Sequence, residues 1–445
     1  MSENSTPAAS PVGPREEEFL DQFFKHISQF AFDKAKELAE KERDTHKASF
    51  GSSWGLVVHS LCFFALAEKT YMSLTFLGQK WFGRAKDNPR NSYSSLYQEF
   101  KKVEENDRII DMVSSDPTRE KILAHISGQL CQFLTARQKS MDFYEQMSTM
   151  GSNRNLSYED LVTLITDLIQ TNQKSFHHPV LSSLKSSFSL ECEIIHHLLL
   201  AQIKMVEWQF LPALLQLHEA HTKLQSWGAT ALAKESRKSA FGSISLKQSS
   251  LPALYQWLVK FKGSLLSKFT LYFYETLAKQ SNTVEMKGLT AKATEDFVSK
   301  IVSFHKKSDA TNVSLVLDIQ GIESTYKGPG YHHPHKQTEL PKGLGSYPAI
   351  FSYPSERPAQ HWPTVVMMMT DRSADLASDK AVCIYDKTAQ STYFIIKVEQ
   401  RIALVVIFES KKSEKDSYVN NFMTDMHTHL KGAKLFASLK PGLKG

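Results

Sequence analysis

Apolar residues change their period of recurrence once along this 445-residue chain, and that single change limits the folds open to it. From Arg15 to about residue 282 they return every three or four positions, the spacing that turns one face of a helix into a core. Phe19, Phe23, Ile27 and Phe30 mark a helix expected over 16–42. Ile195, Leu199, Ile203, Val206, Phe210, Leu214, Leu217 and Leu224 mark the longest, over 189–226, which Pro212 should kink or split. After Thr294 the recurrence turns to every second residue, as in Val313, Leu315, Leu317 and Ile319, the alternation of a strand.

The chain is also longer than the roughly 250–300 residues at which one core stops growing. The expected architecture is therefore multi-domain. A leader over 1–14 holds three prolines and reads as disordered, an all-helical bundle occupies 15–282, and a smaller α+β domain with an antiparallel sheet occupies 283–445. Within the bundle, further helices are expected over 54–80, over 93–113, from Asp116-Pro117 to Met147, after a capping-box pair Ser157/Asp160, and over 251–280. The helix over 251–280 is apolar around most of its circumference, so it is central or meets a partner. In the second domain a helix over 294–307 precedes strands at 313–319, 349–353, 364–369, 381–385, 391–398 and 401–408, the last two forming a hairpin. A final helix carries Val419, Phe422, Met426, Leu430 and Phe436. This order places helices on one face of the sheet and is similar in outline to profilin-like folds, including longin and roadblock modules. The loop 321–348, with five Gly and four Pro, is too long to be a mere connection and reads as a partner contact or as disorder.

Hydrophobic residues at 41% and charged residues at 22% exclude a largely disordered chain. Cys62, Cys131, Cys192 and Cys383 lie far apart in apolar segments and are expected as free thiols. The first residues lack both a basic and an apolar stretch, so no secretory signal is expected. Leu56 to Ala67 falls short of the roughly 20 residues that span a bilayer. A soluble intracellular protein is the resulting expectation.

Net charge is +6, and Lys223 to Tyr274 holds eight basic residues against Glu235 alone. Lys234, Arg237, Lys238 and Lys247 form the candidate basic contact patch, because they crowd a polar stretch. The segment 223–274 supports an alternative reading as a peripheral binder of anionic lipid or nucleic acid, although no nucleic-acid motif accompanies it and nucleic acid is not expected.

No catalytic residue, metal ligand or cofactor site emerges. Gly51-Ser52-Ser53-Trp54-Gly55 has the letters of a nucleophile elbow, but it follows a polar helix end instead of a strand, so a capped helix start explains it. His177/His178 and His196/His197 are adjacent and point about 100° apart on a helix. His218 and His221 lack the glutamate of a zinc hydrolase helix, and His332, His333 and His335 sit in a Gly/Pro-rich loop without a carboxylate set. Phosphate-binding and dinucleotide-binding glycine patterns do not occur.

Three long runs carry a resemblance: REEEFLDQFFKHISQFAFDKAKELAEKERD from Arg15, LVLDIQGIESTYKGPGYHHPHK from Leu315, and VVMMMTDRSADLASDKAVCIYDK from Val365. With these the chain resembles the subunit 2 family of the KICSTOR complex over its whole length. The resemblance implies a non-enzymatic scaffold that assembles with kaptin, an FG-GAP repeat protein and the very large seizure-threshold protein. It further implies recruitment of the GATOR1 assembly to the cytosolic face of the lysosomal membrane, and silencing of mTOR complex 1 when amino acids or glucose are scarce.

Overall fold

The structure, a computed structural model, describes residues 14–45, 52–78, 89–105, 117–150, 156–236, 251–282, 295–328 and 341–441, with a few single positions between them. Apart from Pro14, the leader expected over 1–14 lies outside these residues, as does most of the stretch 283–294. Helices come first: α1 Pro14–Ser28, α2 Phe32–Thr45, α3 Ser53–Met72, α4 Pro89–Glu105, α5 Pro117–Ser148, α6 Tyr158–Asn172, α7 Ser182–Val206, α8 Phe210–Ser236, α9 Ala253–Tyr272 and the short α10 Tyr274–Ala278. The C-terminal part follows as α11 Phe297–Lys307, β1 Asn312–Leu317, β2 Ala349–Tyr353, α12 Trp362–Asp371, α13 Ser373–Leu376, β3 Val382–Asp386, β4 Ser391–Lys397, β5 Ile402–Phe408, α14 Ser417–Leu430 and α15 Ala433–Ala437. An N-terminal helical bundle and a C-terminal antiparallel sheet with helices are thus the observed fold class.

Consecutive helices pack as hairpins, α2 on α3, α4 on α5 and α7 on α8. The three-residue link between α7 and α8 leaves that pair little choice but to run antiparallel. The start of α6 is the capping box read in the sequence: the Asp160 amide donates to Ser157 Oγ at 3.1 Å and the Ser157 amide to Asp160 Oδ2 at 2.8 Å.

Two helices expected as continuous are broken. Phe30 ends α1 with φ 60° and Trp208 ends α7 with φ 58°. In each case the next amide closes back five residues, Ala31 to the His26 carbonyl at 2.9 Å and Gln209 to the Lys204 carbonyl at 2.8 Å. These are Schellman terminations with an aromatic residue where glycine is usual. Pro212, expected to break the 189–226 helix, lies inside the first turn of α8, where a missing amide leaves no bond unmade. The final helix also divides, at Gly432 with φ 76°, a conformation in which glycine has no Cβ to strain.

The sheet has five strands in the order β2-β1-β5-β4-β3, all antiparallel. Two sequence expectations need correction here. The segment 364–369 is not a strand but the body of α12, begun by Pro363 in its first turn. Consequently helices cover both faces of the sheet, not one. Val313, Leu315, Leu317, Phe394, Ile396, Leu404 and Val406 face α11, α14 and the bundle, whereas Val316, Tyr393, Ile395, Val405 and Ile407 face Trp362, Val365 and Met368 of α12. Burial on both sides explains why β5 reads as the unbroken apolar run Ile402–Phe408.

Helix α9 is central, as its all-round apolarity implied: Leu254, Leu258, Phe261, Leu265, Phe269 and Tyr272 are all buried. It packs on α7 and α8 on one side and on α11 and β2 on the other. Its Trp257 Nε1 donates to the Leu435 carbonyl at 3.0 Å, and the Trp257 and Phe261 rings pack at an angle against Phe436 of α15. Tyr158 at the head of α6 donates to the Lys431 carbonyl at 3.3 Å. One apolar core therefore runs from the bundle into the sheet.

Candidate interaction site

The residues singled out in the sequence are only partly described. Arg237, Lys238 and Lys247 lie outside the described residues, and only the backbone of Lys234 is described, near the end of α8. Lys223 pairs with Glu193 at 2.7 Å, Lys260 approaches Ser438, and Lys268 is buried. Ser52 caps α3, accepting from the Gly55 amide at 3.2 Å, so Ser53 is simply the first residue of a helix. His178 accepts the Val180 amide, His197 pairs with Gln216 at 2.7 Å, and His332 Nδ1 lies 3.2 Å from Lys336 Nζ. Among the described residues no three His, Cys, Asp or Glu side chains are grouped to hold a metal ion, and no helix is long and apolar enough to cross a membrane. Cys62, Cys131 and Cys192 are buried free thiols, and burial pushes the Cys131 thiol up to about 12.

Among the described residues, two closed networks hold buried charged groups. In the bundle, the Arg137 guanidinium is 2% exposed and donates to both Glu68 oxygens and to Glu191 Oε2 at 2.6 Å. Tyr93 donates to Glu68 at 2.6 Å, and Tyr71 and Tyr144 donate to Glu191 at 2.6 and 3.0 Å. Burial pulls the guanidinium pKa down, but Glu191 and Glu68 beside it outweigh this and hold it well above the ordinary range. The three phenols are pushed well above theirs by burial first and by the neighbouring carboxylates second.

The second network joins the two halves of the chain. Lys268 of α9 gives its three protons to Gln202 of α7 at 2.9 Å, to the Leu430 carbonyl of α14 at 2.7 Å, and to Glu399 in the β4–β5 turn. Gln202 closes the ring by donating to Glu399 at 3.1 Å. Burial lowers the Lys268 pKa and Glu399 opposes that.

What stays uncommitted is a recess where three chain breaks meet. The α7–α8 break supplies Trp208 and Phe210, the α9–α10 break supplies Phe273 and Glu275, and the long loop supplies Tyr326, Lys327 and Tyr331. Trp208 packs on Phe273 at 4.8 Å and on Tyr326 at 6.1 Å, while Phe210 meets Phe273 at 5.2 Å and Tyr331 at 5.6 Å. The left-handed backbone at Trp208 is what turns α7 into α8 beside this ring cluster. The free volume is about 250 Å³. It adjoins a second cleft of about 610 Å³ along β2, with Glu275, Tyr326, Gly328, Ala349 and Ile350 common to both. Concave, mostly aromatic sites between structural units are where proteins bind ligands and partner side chains.

Beside the recess, α8 exposes Leu211 at 41%, Leu214 at 38% and Leu215 at 52%. Their spacing puts them on one face of the helix. Covering each would contribute about 1 kcal/mol, since full burial of a leucine is worth roughly 1.5–3 kcal/mol. These leucines fall in LPALLQL, whose counterpart LPALYQW opens α9 with Leu251 and Leu254 buried, so the same letters serve opposite surroundings. Sequence reasoning missed the recess. Its walls come from separate segments spread between Trp208 and Ile350, and the only local signal was the length of loop 321–348.

A family model described as "KICSTOR complex C12orf66 like" matches residues 8–444. The chain is similar to a Xenopus laevis protein called KICSTOR subunit 2, 46% identical over 444 residues, which covers 98% of this chain and 99% of the frog protein. A Danio rerio protein of the same name is 45% identical over 439 residues, 97% of each chain.

Proposed function

The chain belongs to the KICSTOR complex C12orf66-like family, and from that premise we propose that it is a subunit of the KICSTOR complex acting as a non-enzymatic scaffold. Its partners on this reading are kaptin, the FG-GAP repeat protein and the large seizure-threshold protein. Together they hold the GATOR1 assembly at the cytosolic face of the lysosome and restrain mTOR complex 1 when amino acids or glucose run short. Similarity along the whole chain to proteins named as subunits of that complex is the observation that carries the reading. Two structural features support it. The buried charges of Arg137, Glu68 and Glu191 are spent on one another, and the molecule offers apolar surface beside an aromatic recess.

The test is a clean deletion in cultured cells followed by amino-acid withdrawal. Phosphorylation of mTOR complex 1 substrates should persist in the deleted cells, GATOR1 should leave the lysosomal fraction, and re-expression should restore both. Normal shutdown of the substrates in deleted cells would remove the assignment.

A further inference from the structure

We propose that the recess and the leucine ridge beside it seat one acidic amphipathic segment from another subunit, an apolar or aromatic side chain filling the recess while carboxylates pair with Lys327, Lys336 and Arg357. This rests on the reading of the chain as a complex subunit, and it adds the surface and the chemistry of the partner.

Shape supplies half of the argument. Leu211, Leu214 and Leu215 form a strip just over one turn long that stays in contact with solvent, and it leads directly to Trp208 and Phe210 at the recess wall. A strip of this kind matches the i, i+3, i+4 anchors of an amphipathic partner. The recess at about 250 Å³ accepts a single large side chain, and the cleft of about 610 Å³ along β2 continues the track.

Charge supplies the other half. Lys327 lines the recess and Arg357 lines the adjoining cleft, and among the described residues neither has an ion-pair partner. Lys336 is exposed and rests on His332, another lining residue. The acids nearby are already engaged, Glu275 with Lys279 at 2.9 Å and Glu207 with Lys204 at 2.8 Å, which leaves Glu356 as the acid facing these cations in the cleft. The unanswered charge at the rim is therefore cationic, and a complementary partner is acidic. A second copy of the chain fits poorly, because a two-fold contact presents the same patch to itself and would bring the same lysines together.

The experiment uses the complex purified through a tag on this chain and treated with a carbodiimide, which joins lysine amines to carboxylates in direct contact. Mass spectrometry should find Lys327 and Lys336 joined to acidic residues of another subunit. A paired variant, Leu215→Glu with Lys327→Glu, should reduce the subunits recovered per tagged chain about ten-fold, as loss of a central anchor does. Both positions lie outside the core, so its melting temperature should stay within about 2 °C of the unaltered chain. Leu164→Glu, an exposed leucine of α6, should leave recovery unchanged and so show that the effect belongs to this surface. Normal recovery with the paired variant, or Lys327 joined only to a second copy of this chain, would overturn the proposal while leaving the subunit assignment intact. Failure of the unaltered chain to recover any subunit would remove that assignment, and this inference with it.

Discussion

Replacing Arg137 with methionine tests whether the buried network holds the bundle together through charge. Methionine keeps most of the side chain's volume but takes away every proton offered to Glu68 and Glu191, both of which are about 1–2% exposed. The tyrosine hydroxyls still donate, yet the two carboxylates face each other's charge in a dry interior without a cation. Removing one member of a buried ion network costs about 3–5 kcal/mol. For a 445-residue chain, an unfolding entropy of about 2.1 cal/mol/K per residue amounts to about 0.9 kcal/mol/K, so the melting temperature should fall by about 3–5 °C. Scanning calorimetry reads this directly. The decisive companion is the triple variant Arg137→Met, Glu68→Gln, Glu191→Gln, which removes the stranded charge while each amide oxygen still accepts from its tyrosine. It should regain at least half of the loss. A single variant melting within about 1 °C of the unaltered chain, or a triple variant melting below the single one, would refute the electrostatic argument and leave only packing.

Alkali should unfold the protein early and steeply. Tyr71, Tyr93, Tyr144 and Tyr272 are all held well above the ordinary phenol range by burial first. Their contribution is complete below about pH 10 and is lost as pH rises past it, by about 1.4 kcal/mol per pH unit for each phenol that ionises only on unfolding. Urea midpoints between pH 9 and pH 11.5 should fall accordingly, and a flat profile would contradict the burial. Gly228→Ala should destabilise by about 1–3 kcal/mol, because its Cβ would stand 2.3 Å from the Tyr255 hydroxyl, which is tied to the Leu224 carbonyl at 2.9 Å. Thermal melts check this, and an unchanged midpoint would show that the ring moves aside freely. Cutting the chain between Ser281 and Glu295 should leave both pieces in one peak on gel filtration, since Trp257, Phe261 and Lys268 are buried against the C-terminal part. Separation into two stable species would show that the shared core is dispensable.

The sequence exposed those parts of the fold that rest on local chemistry. Val313, Leu315 and Leu317 alternate because their partners on the sheet alternate, and Ser157 with Asp160 announces a helix start because the capping bonds span only three residues. Phe30 and Trp208 were opaque for the opposite reason. A left-handed residue other than glycine costs about 1–2 kcal/mol, so no local preference forecasts it, and only tertiary packing of the ring can sustain it. Trp208 is sustained by Phe273 and Tyr326, residues 65 and 118 positions away. The run Val365 to Met369 misled because an apolar stretch of five residues has no period to read, and its neighbour Pro363 starts a helix as readily as it ends a strand. Arg137 was silent as well, since its two carboxylates arrive from α3 and α7.

The recess and the Lys268 network are two consequences of one arrangement. Gln202 precedes Trp208 by under two turns of α7, and Lys268 precedes Phe273 by little more than one turn of α9, so the helices that end at the recess are tied together just before they end. Glu399 and the Leu430 carbonyl extend the tie to the sheet and α14, the other half of the chain. An ammonium with all three protons committed to separate elements fixes their mutual position more narrowly than apolar packing, which tolerates sliding. Breaking such a contact strands Glu399 in a nearly dry site, so intermediate positions of the two halves are costly. The aromatic walls supplied by Trp208, Phe210 and Phe273 from one half and by Tyr326 from the other are thereby held at a set separation before anything occupies the space between them. A seat prepared in this way spares a partner the cost of ordering it.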